Sequence, residues 1–223
     1  SPFKLTSIRK KMKKIAVLIS GQGTNLQTII DACHSGDIPA KIACVVSNKA
    51  DAYGLVRAKQ AQIPQAVFLR KNFSNNLEMD DAIGDYLQSL AVDLIVLAGY
   101  MKILTPKFTQ RFAGKILNIH PSLLPKYAGL NTYQRAIEAG DNEHGTTVHL
   151  VNEEVDGGAI VLQAKVPIFP EDSIEEGEAR TREQEYQIYP LVIKWFTEGR
   201  LRLKDNLAYL DGKPLPKSGY ADE

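Results

Sequence analysis

The chain has 223 residues, 44% of them hydrophobic and 24% charged, with a formal net charge of +1. A chain of this length with this apolar share can bury a substantial core without staples, and its interspersed charges exclude an overall basic footprint for nucleic acid. No apolar run approaches the ~18 residues of a membrane span, and the two cysteines, Cys33 and Cys44, make neither a disulfide framework nor a metal site, so both are expected to be buried thiols of a cytoplasmic protein.

Residues 1–11 are positively charged but have no apolar stretch, so they are not a secretory signal. They are expected to be a disordered extension or expression remnant, with a natural start near Met12 and one domain over 12–223. Lys14-Ile-Ala-Val-Leu-Ile-Ser20 reads as a buried strand, ended by the tight turn Gly21-Gln-Gly23. Thr24 or Asn25 can cap the helix that follows, which carries Leu26, Ile29, Ile30 and Cys33 on one face. Lys41 to Val46 is a second strand before a helix over about 54–62, and Ala66 to Leu69 a third before a helix over about 75–91. Asp93 to Gly99 and Lys115 to His120 are a fourth and a fifth strand. This alternation predicts βαβ units in a doubly wound, mostly parallel sheet, and the near-continuous apolar strands agree with cover on both faces. Thr146 to Val151 and Ala159 to Gln163 read as strands around the loop Glu153-Glu-Val-Asp-Gly-Gly158. A long helix over about 173–198 precedes a small C-terminal hairpin with its turn near Lys204-Asp-Asn206.

Three places carry chemistry. Gly21-Gln-Gly-Thr-Asn25 stands between strand and helix, where free N–H groups and the helix dipole suit a phosphate. A plain tight turn is the competing reading. A dinucleotide fingerprint is not met, because position 26 is Leu and no acid follows the second strand. The fifth strand ends in Asn118-Ile-His120, and alternation puts Asn118 and His120 on one face at the carboxyl edge of the sheet, where α/β folds bind ligands. A strand-end histidine can equally be structural. Asp156 in Val155-Asp-Gly-Gly158 is a turn residue by itself, although the paired glycines would let its carboxylate approach another site.

Ile19-Ser-Gly-Gln-Gly-Thr-Asn-Leu26, Ser47-Asn-Lys-Ala-Asp51, Leu97-Ala-Gly-Tyr-Met-Lys-Ile-Leu104, Asn118-Ile-His-Pro-Ser-Leu-Leu-Pro125, His144-Gly-Thr146, Asp156-Gly-Gly158 and Glu185-Tyr-Gln-Ile-Tyr-Pro190 together resemble the folate-dependent formyltransferases, in particular those that act on glycinamide ribonucleotide. The resemblance runs from about Met12 to the C-terminus and implies a Rossmann-like, three-layer αβα formyltransferase fold. It implies transfer of a formyl group from the co-substrate 10-formyltetrahydrofolate to the amine of a phosphoribosyl substrate. No metal, nucleic acid or membrane is implied, and the protein is expected as a monomer or homodimer. The nearest alternative is hydrolysis of the formyl folate or transfer to another amine.

Carried over by motif, the resemblance makes Asn118, His120 and Asp156 the catalytic trio. Gly23, Thr24, Asn25 and Glu185 become contacts to the phosphoribosyl substrate. Leu97, Met101, Lys102, Ile103, Leu104, Val151 and Asn152, with Asn118 and Asp156, become the folate contacts. His149 is a candidate support from the adjacent strand. Departures stand at Asn76, in place of a folate-contacting Arg, at Arg182, in place of a Gln, and at Asn131 and Tyr133, in place of histidines.

Overall fold

β1 (Lys13–Ile19) shows why the chain forms layers. Its residues Ile15, Val17 and Ile19 enter one apolar cluster while Ala16 and Leu18 enter another. A strand buried on both sides must be covered by helices on both sides, and each such Ile, Val or Leu contributes about 1.5–3 kcal/mol through burial. The computed structural model describes residues 12–221, so the extension expected over 1–11 lies outside the described residues.

The central sheet has seven strands in the order β3-β2-β1-β4-β5-β6-β7. β2 (Ala40–Ser47), β3 (Gln65–Val67), β4 (Leu94–Leu97) and β5 (Ile116–His120) run parallel with β1, β6 (Glu143–Leu150) pairs antiparallel with β5, and β7 (Ile160–Pro167) pairs antiparallel with β6 and so runs with β1 again. The mostly parallel, doubly wound sheet expected from the strand and helix alternation is present. On the first face lie α1 (Thr24–Ser35), α2 (Gly54–Gln60) and the long α6 (Ile174–Thr197); on the second lie α3 (Asn76–Ser89) and α4 (Pro106–Arg111). α5 (Thr132–Glu138) connects β5 to β6. Neither α4 nor α5 was expected, because one or two turns give too short a window for helical periodicity to register.

Two boundaries have informative causes. α1 is capped by Gly23 at φ 72°, not by Thr24 or Asn25, and no side chain caps it. A Cβ on Gly23 would lie 2.8 Å from Gly54 Cα, so both the conformation and the close approach require glycine. At the other end of the chain, α6 begins in a capping box in which Ser173 and Glu176 satisfy each other's backbone N–H groups, an arrangement worth about 1 kcal/mol.

β8 (Leu201–Lys204) and β9 (Leu207–Leu210) form the expected C-terminal hairpin, to which the short β10 (Lys213–Pro214) adds a third strand. Asp205 and Asn206 both adopt positive φ, 52° and 62°, the requirement of a two-residue type I′ turn. Cys44 is buried as expected, but Cys33 is only half-buried. Among the described residues no helix is long and apolar enough to cross a membrane.

Candidate active site

The chain leaves β1 towards β2 and leaves β4 in the opposite direction, towards β5, so the carboxyl ends of β1 and β4 diverge. A parallel sheet opens a crevice at such a switch point. Ser20, at the end of β1, joins its two sides: its hydroxyl donates to Asn48 Oδ1 at 2.6 Å and accepts the Met101 N–H at 2.7 Å. Beside this point lies a cavity of about 740 Å³, within the range of small-molecule sites.

Asn118, His120 and Asp156 all line that cavity. Strand alternation places the first two, as expected. Asp156 arrives by a loop whose base is closed by the backbone bond from Leu150 N–H to Ala159 O and whose start is tied to β5 by Val151 N–H to Ile116 O. A Cβ on Gly158 would stand 1.6 Å from the Leu150 carbonyl oxygen, so only glycine lets the loop turn back this tightly. Asp156 itself adopts φ 54°, a left-handed conformation that Asp tolerates better than most residues.

His120 Nδ1 is 3.5 Å from Asp156 Oδ1, and its Nε2 lies 2.8 Å from the Tyr127 carbonyl oxygen. A carbonyl can only accept, so Nε2 carries a proton, and Nδ1 is the ring nitrogen that faces the carboxylate. Asp156 Oδ2 accepts from the Gly129 N–H at 2.9 Å. Asn118 Nδ2 is 3.3 Å from His149 Nε2. Burial pushes the His149 imidazole down to about 4, so the ring is neutral at pH 7 and accepts from the amide. One Asn118 N–H and its Oδ1 remain for a ligand.

The other walls divide by character. Residues 101–104 present Met101 and Ile103 as exposed apolar side chains, and Leu130 and Val155, exposed to a similar degree, line the same cavity. Beneath it, Lys102 Nζ contacts Asp80 Oδ1 at 2.5 Å, and the Thr105 N–H donates to Asp80 Oδ2 at 2.8 Å. At the opposite end, Asn25 Nδ2 donates to Glu185 Oε1 at 3.0 Å. Burial holds the Glu185 carboxyl above the ordinary carboxylate range, opposed by the Asn25 hydrogen bond and the Arg182 charge. Asn25 Oδ1 is buried and has no partner among the described residues.

Leu97, Lys102, Leu104, Val151 and Asn152 line the same cavity, as do Met101, Ile103, Asn25 and Glu185. Gly23 and Thr24 do not; they stand at the entry to α1, one step outside. Of the departures, Arg182, Asn131 and Tyr133 line the cavity, whereas Asn76 accepts from Arg70 Nε at 2.9 Å away from it. Three contributors were not anticipated: Asp80, and the backbone groups of Tyr127 and Gly129. Asp80 had a signal, since it shares the buried face of α3 with Ile83 and Leu87, where an acid breaks the apolar pattern. Backbone groups leave no trace in residue type. Among the described residues no three His, Cys, Asp or Glu side chains gather as a metal-ligand set.

Known proteins resemble the chain in sequence and in fold. The family model described as formyl transferase matches residues 13–193. Phosphoribosylglycinamide formyltransferase of Haemophilus influenzae is 98% identical over 212 residues, which cover 95% of this chain and all (100%) of the relative. The Escherichia coli protein of the same name is 52% identical over 207 residues, covering 93% of this chain and 98% of its own. The solved phosphoribosylglycinamide formyltransferase of Coxiella burnetii superposes with a TM-score of 0.90 at 45% identity, over 94% of this chain and 98% of that one. With nearly its whole length shared with these relatives and its fold with the solved structure, the chain belongs to the formyl transferase family, among the phosphoribosylglycinamide formyltransferases.

Proposed function

We propose that the protein transfers the formyl group of 10-formyltetrahydrofolate to the amine of 5′-phosphoribosylglycinamide, a step of purine synthesis, giving formylglycinamide ribonucleotide and tetrahydrofolate. The observation that carries this reading is the convergence of Asn118, His120 and Asp156 on one cavity, whose ends differ as the two substrates do. The apolar 101–104 wall suits the flat rings of a folate. Asn25 Oδ1 and Glu185 are acceptors that suit the N–H and O–H groups of a phosphoribosyl amine. The free N–H groups at the start of α1, one step beyond, suit its phosphate. The proposal extends to a cytoplasmic enzyme that acts on small molecules as a monomer or homodimer.

In this reading the amine nitrogen attacks the formyl carbon, a C–N bond forms and the carbonyl oxygen takes up negative charge. The free Asn118 N–H orients that oxygen. His120 Nε2 is held by Tyr127, so the donor left for the oxyanion is Nδ1–H, whose 3.5 Å separation from Asp156 is a charge pairing and not a short hydrogen bond. Donors of this kind each contribute about 10²–10³ in rate. Collapse breaks the bond between the formyl carbon and the folate nitrogen, which takes the proton the amine sheds. Asp156 stabilises the imidazolium and can relay that proton through water.

The test is a spectrophotometric assay on mixing the protein, a 10-formyl folate and glycinamide ribonucleotide, with product analysis. Formylated amine is expected. Free formate without formylated amine would instead make the protein a hydrolase, and near-normal turnover in His120→Ala would refute the assigned trio.

A further inference from the structure

His120 and Asp156 come from a strand and a distant loop, yet one three-residue stretch holds both. The Tyr127 carbonyl takes the Nε2 proton of His120 at 2.8 Å, and two residues on the Gly129 N–H donates to Asp156 Oδ2 at 2.9 Å. The placement of residues 127–129 therefore sets how imidazole and carboxylate face each other. Tyr127 adopts φ 59°, the left-handed region that aromatic residues rarely enter, and such a conformation persists only where its surroundings impose it.

Those surroundings are visible. The Tyr127 hydroxyl donates to Asp141 Oδ2 at 2.5 Å, Lys126 Nζ lies 3.5 Å from Asp141 Oδ1, and the Arg135 guanidinium sits over the Tyr127 ring at 5.4 Å. Hydrogen bonding from Tyr127 holds the Asp141 carboxyl below its ordinary range, which keeps it an acceptor. Ser122 Oγ donates to the Lys126 carbonyl at 2.6 Å and, more weakly, to the Tyr127 carbonyl at 3.3 Å, and Arg135 donates to the Ala128 carbonyl, but the phenol is what ties the Tyr127 side chain itself to the far end of α5. Tyr127 and Asp141 line a separate cavity of about 630 Å³ and are absent from the lining of the candidate site. They touch the site from behind, through the 127–129 backbone that binds His120 and Asp156.

Building on the formyl-transfer reading, we propose that Tyr127 and Asp141 are positioning residues, a latch behind the site that fixes the His120–Asp156 pair for the transfer step. The full-length protein would be compared with Tyr127→Phe, which keeps the ring and its cation–π contact, with Asp141→Ala, and with Asp141→Asn, which keeps an acceptor oxygen. The first two are expected to lower kcat about tenfold while both KM values stay within about twofold, the signature of a misplaced catalytic group. Their double variant should lose no more than either alone, because one hydrogen bond is being removed. Asp141→Asn should recover most of the loss. Independently of turnover, the ¹⁵N shifts of the His120 ring should move in Tyr127→Phe and Asp141→Ala and return towards the parent in Asp141→Asn. Folded Tyr127→Phe with parental ring shifts and parental kcat would overturn the latch, as would a loss of folded protein with normal kcat per folded molecule. If the parent itself formylates no amine, the functional reading fails, and the ring shifts still decide whether the latch exists.

Discussion

Lys102→Met tests whether the apolar wall rests on a buried ion pair. The Asp80 side chain is 1% exposed and that of Lys102 10%, so removing the ammonium strands a carboxylate in the second core cluster. Breaking a buried pair from one side costs about 3–5 kcal/mol. Asp80 would keep the Thr105 N–H on Oδ2, which puts the expected loss near the lower end, about 3 kcal/mol. For a chain of this size that lowers Tm by roughly 6–12 °C. Adding Asp80→Asn removes the stranded charge but keeps an acceptor for Thr105, so the double variant should regain about 2 kcal/mol over Lys102→Met alone. Because the pair underlies residues 101–104, KM for the formyl folate should rise severalfold in the single variant. The assays are urea denaturation, calorimetry and initial rates. A single variant within about 1 kcal/mol of the parent, or a double variant less stable than the single, would refute the reasoning.

Gly158→Ala should abolish most turnover, by about 10² or more, because its Cβ cannot share space with the Leu150 carbonyl and the loop carrying Asp156 must move; far-ultraviolet circular dichroism should show the sheet retained. Glu185→Gln should raise stability by about 1 kcal/mol at pH 8 while raising KM for glycinamide ribonucleotide about tenfold. The carboxyl is held above its ordinary range by burial, so its charged form costs stability above that range and the amide does not. His149 sets the acid limit. Its folded value of about 4 lies below the unfolded value near 6.5, so between those pH values only the unfolded chain binds the proton. Stability then falls as pH drops through that window, by on the order of 3 kcal/mol in all, and His149→Gln should flatten the profile measured by denaturant titration at stepped pH.

The residue pattern was most legible where one physical rule governs many positions. The β1 alternation of Ile15, Val17 and Ile19 against Ala16 and Leu18 dictates burial on both faces, and from it the layers and the parallel order follow. Asn118 and His120 were placed by strand period alone, since two residues apart on a strand means the same side. Asp156 was not, because a loop carboxylate has no period, and only the geometry at Gly158 brings it to His120. The capping of α1 was misjudged at Thr24 and Asn25 because a local rule met a tertiary one: Gly54 presses on Gly23, and the Asn25 amide is drawn to Glu185. Asp80 was legible in principle as an acid on an apolar helix face. The contributions of Tyr127 and Gly129 were not, being made by backbone atoms that every residue possesses.

The hydrogen bond from Asn25 to Glu185 closes a span of 160 residues, with the trio between its ends. Contacts of such sequence separation form late, after local helices and neighbouring strands are in place. The Asn25–Glu185 end of the cavity therefore cannot exist on any partly folded or prematurely ended chain that lacks α6. Substrate affinity becomes a report on the completed molecule: during refolding, binding of glycinamide ribonucleotide should return no earlier than the emission of Trp195, the single tryptophan, which sits on the same helix.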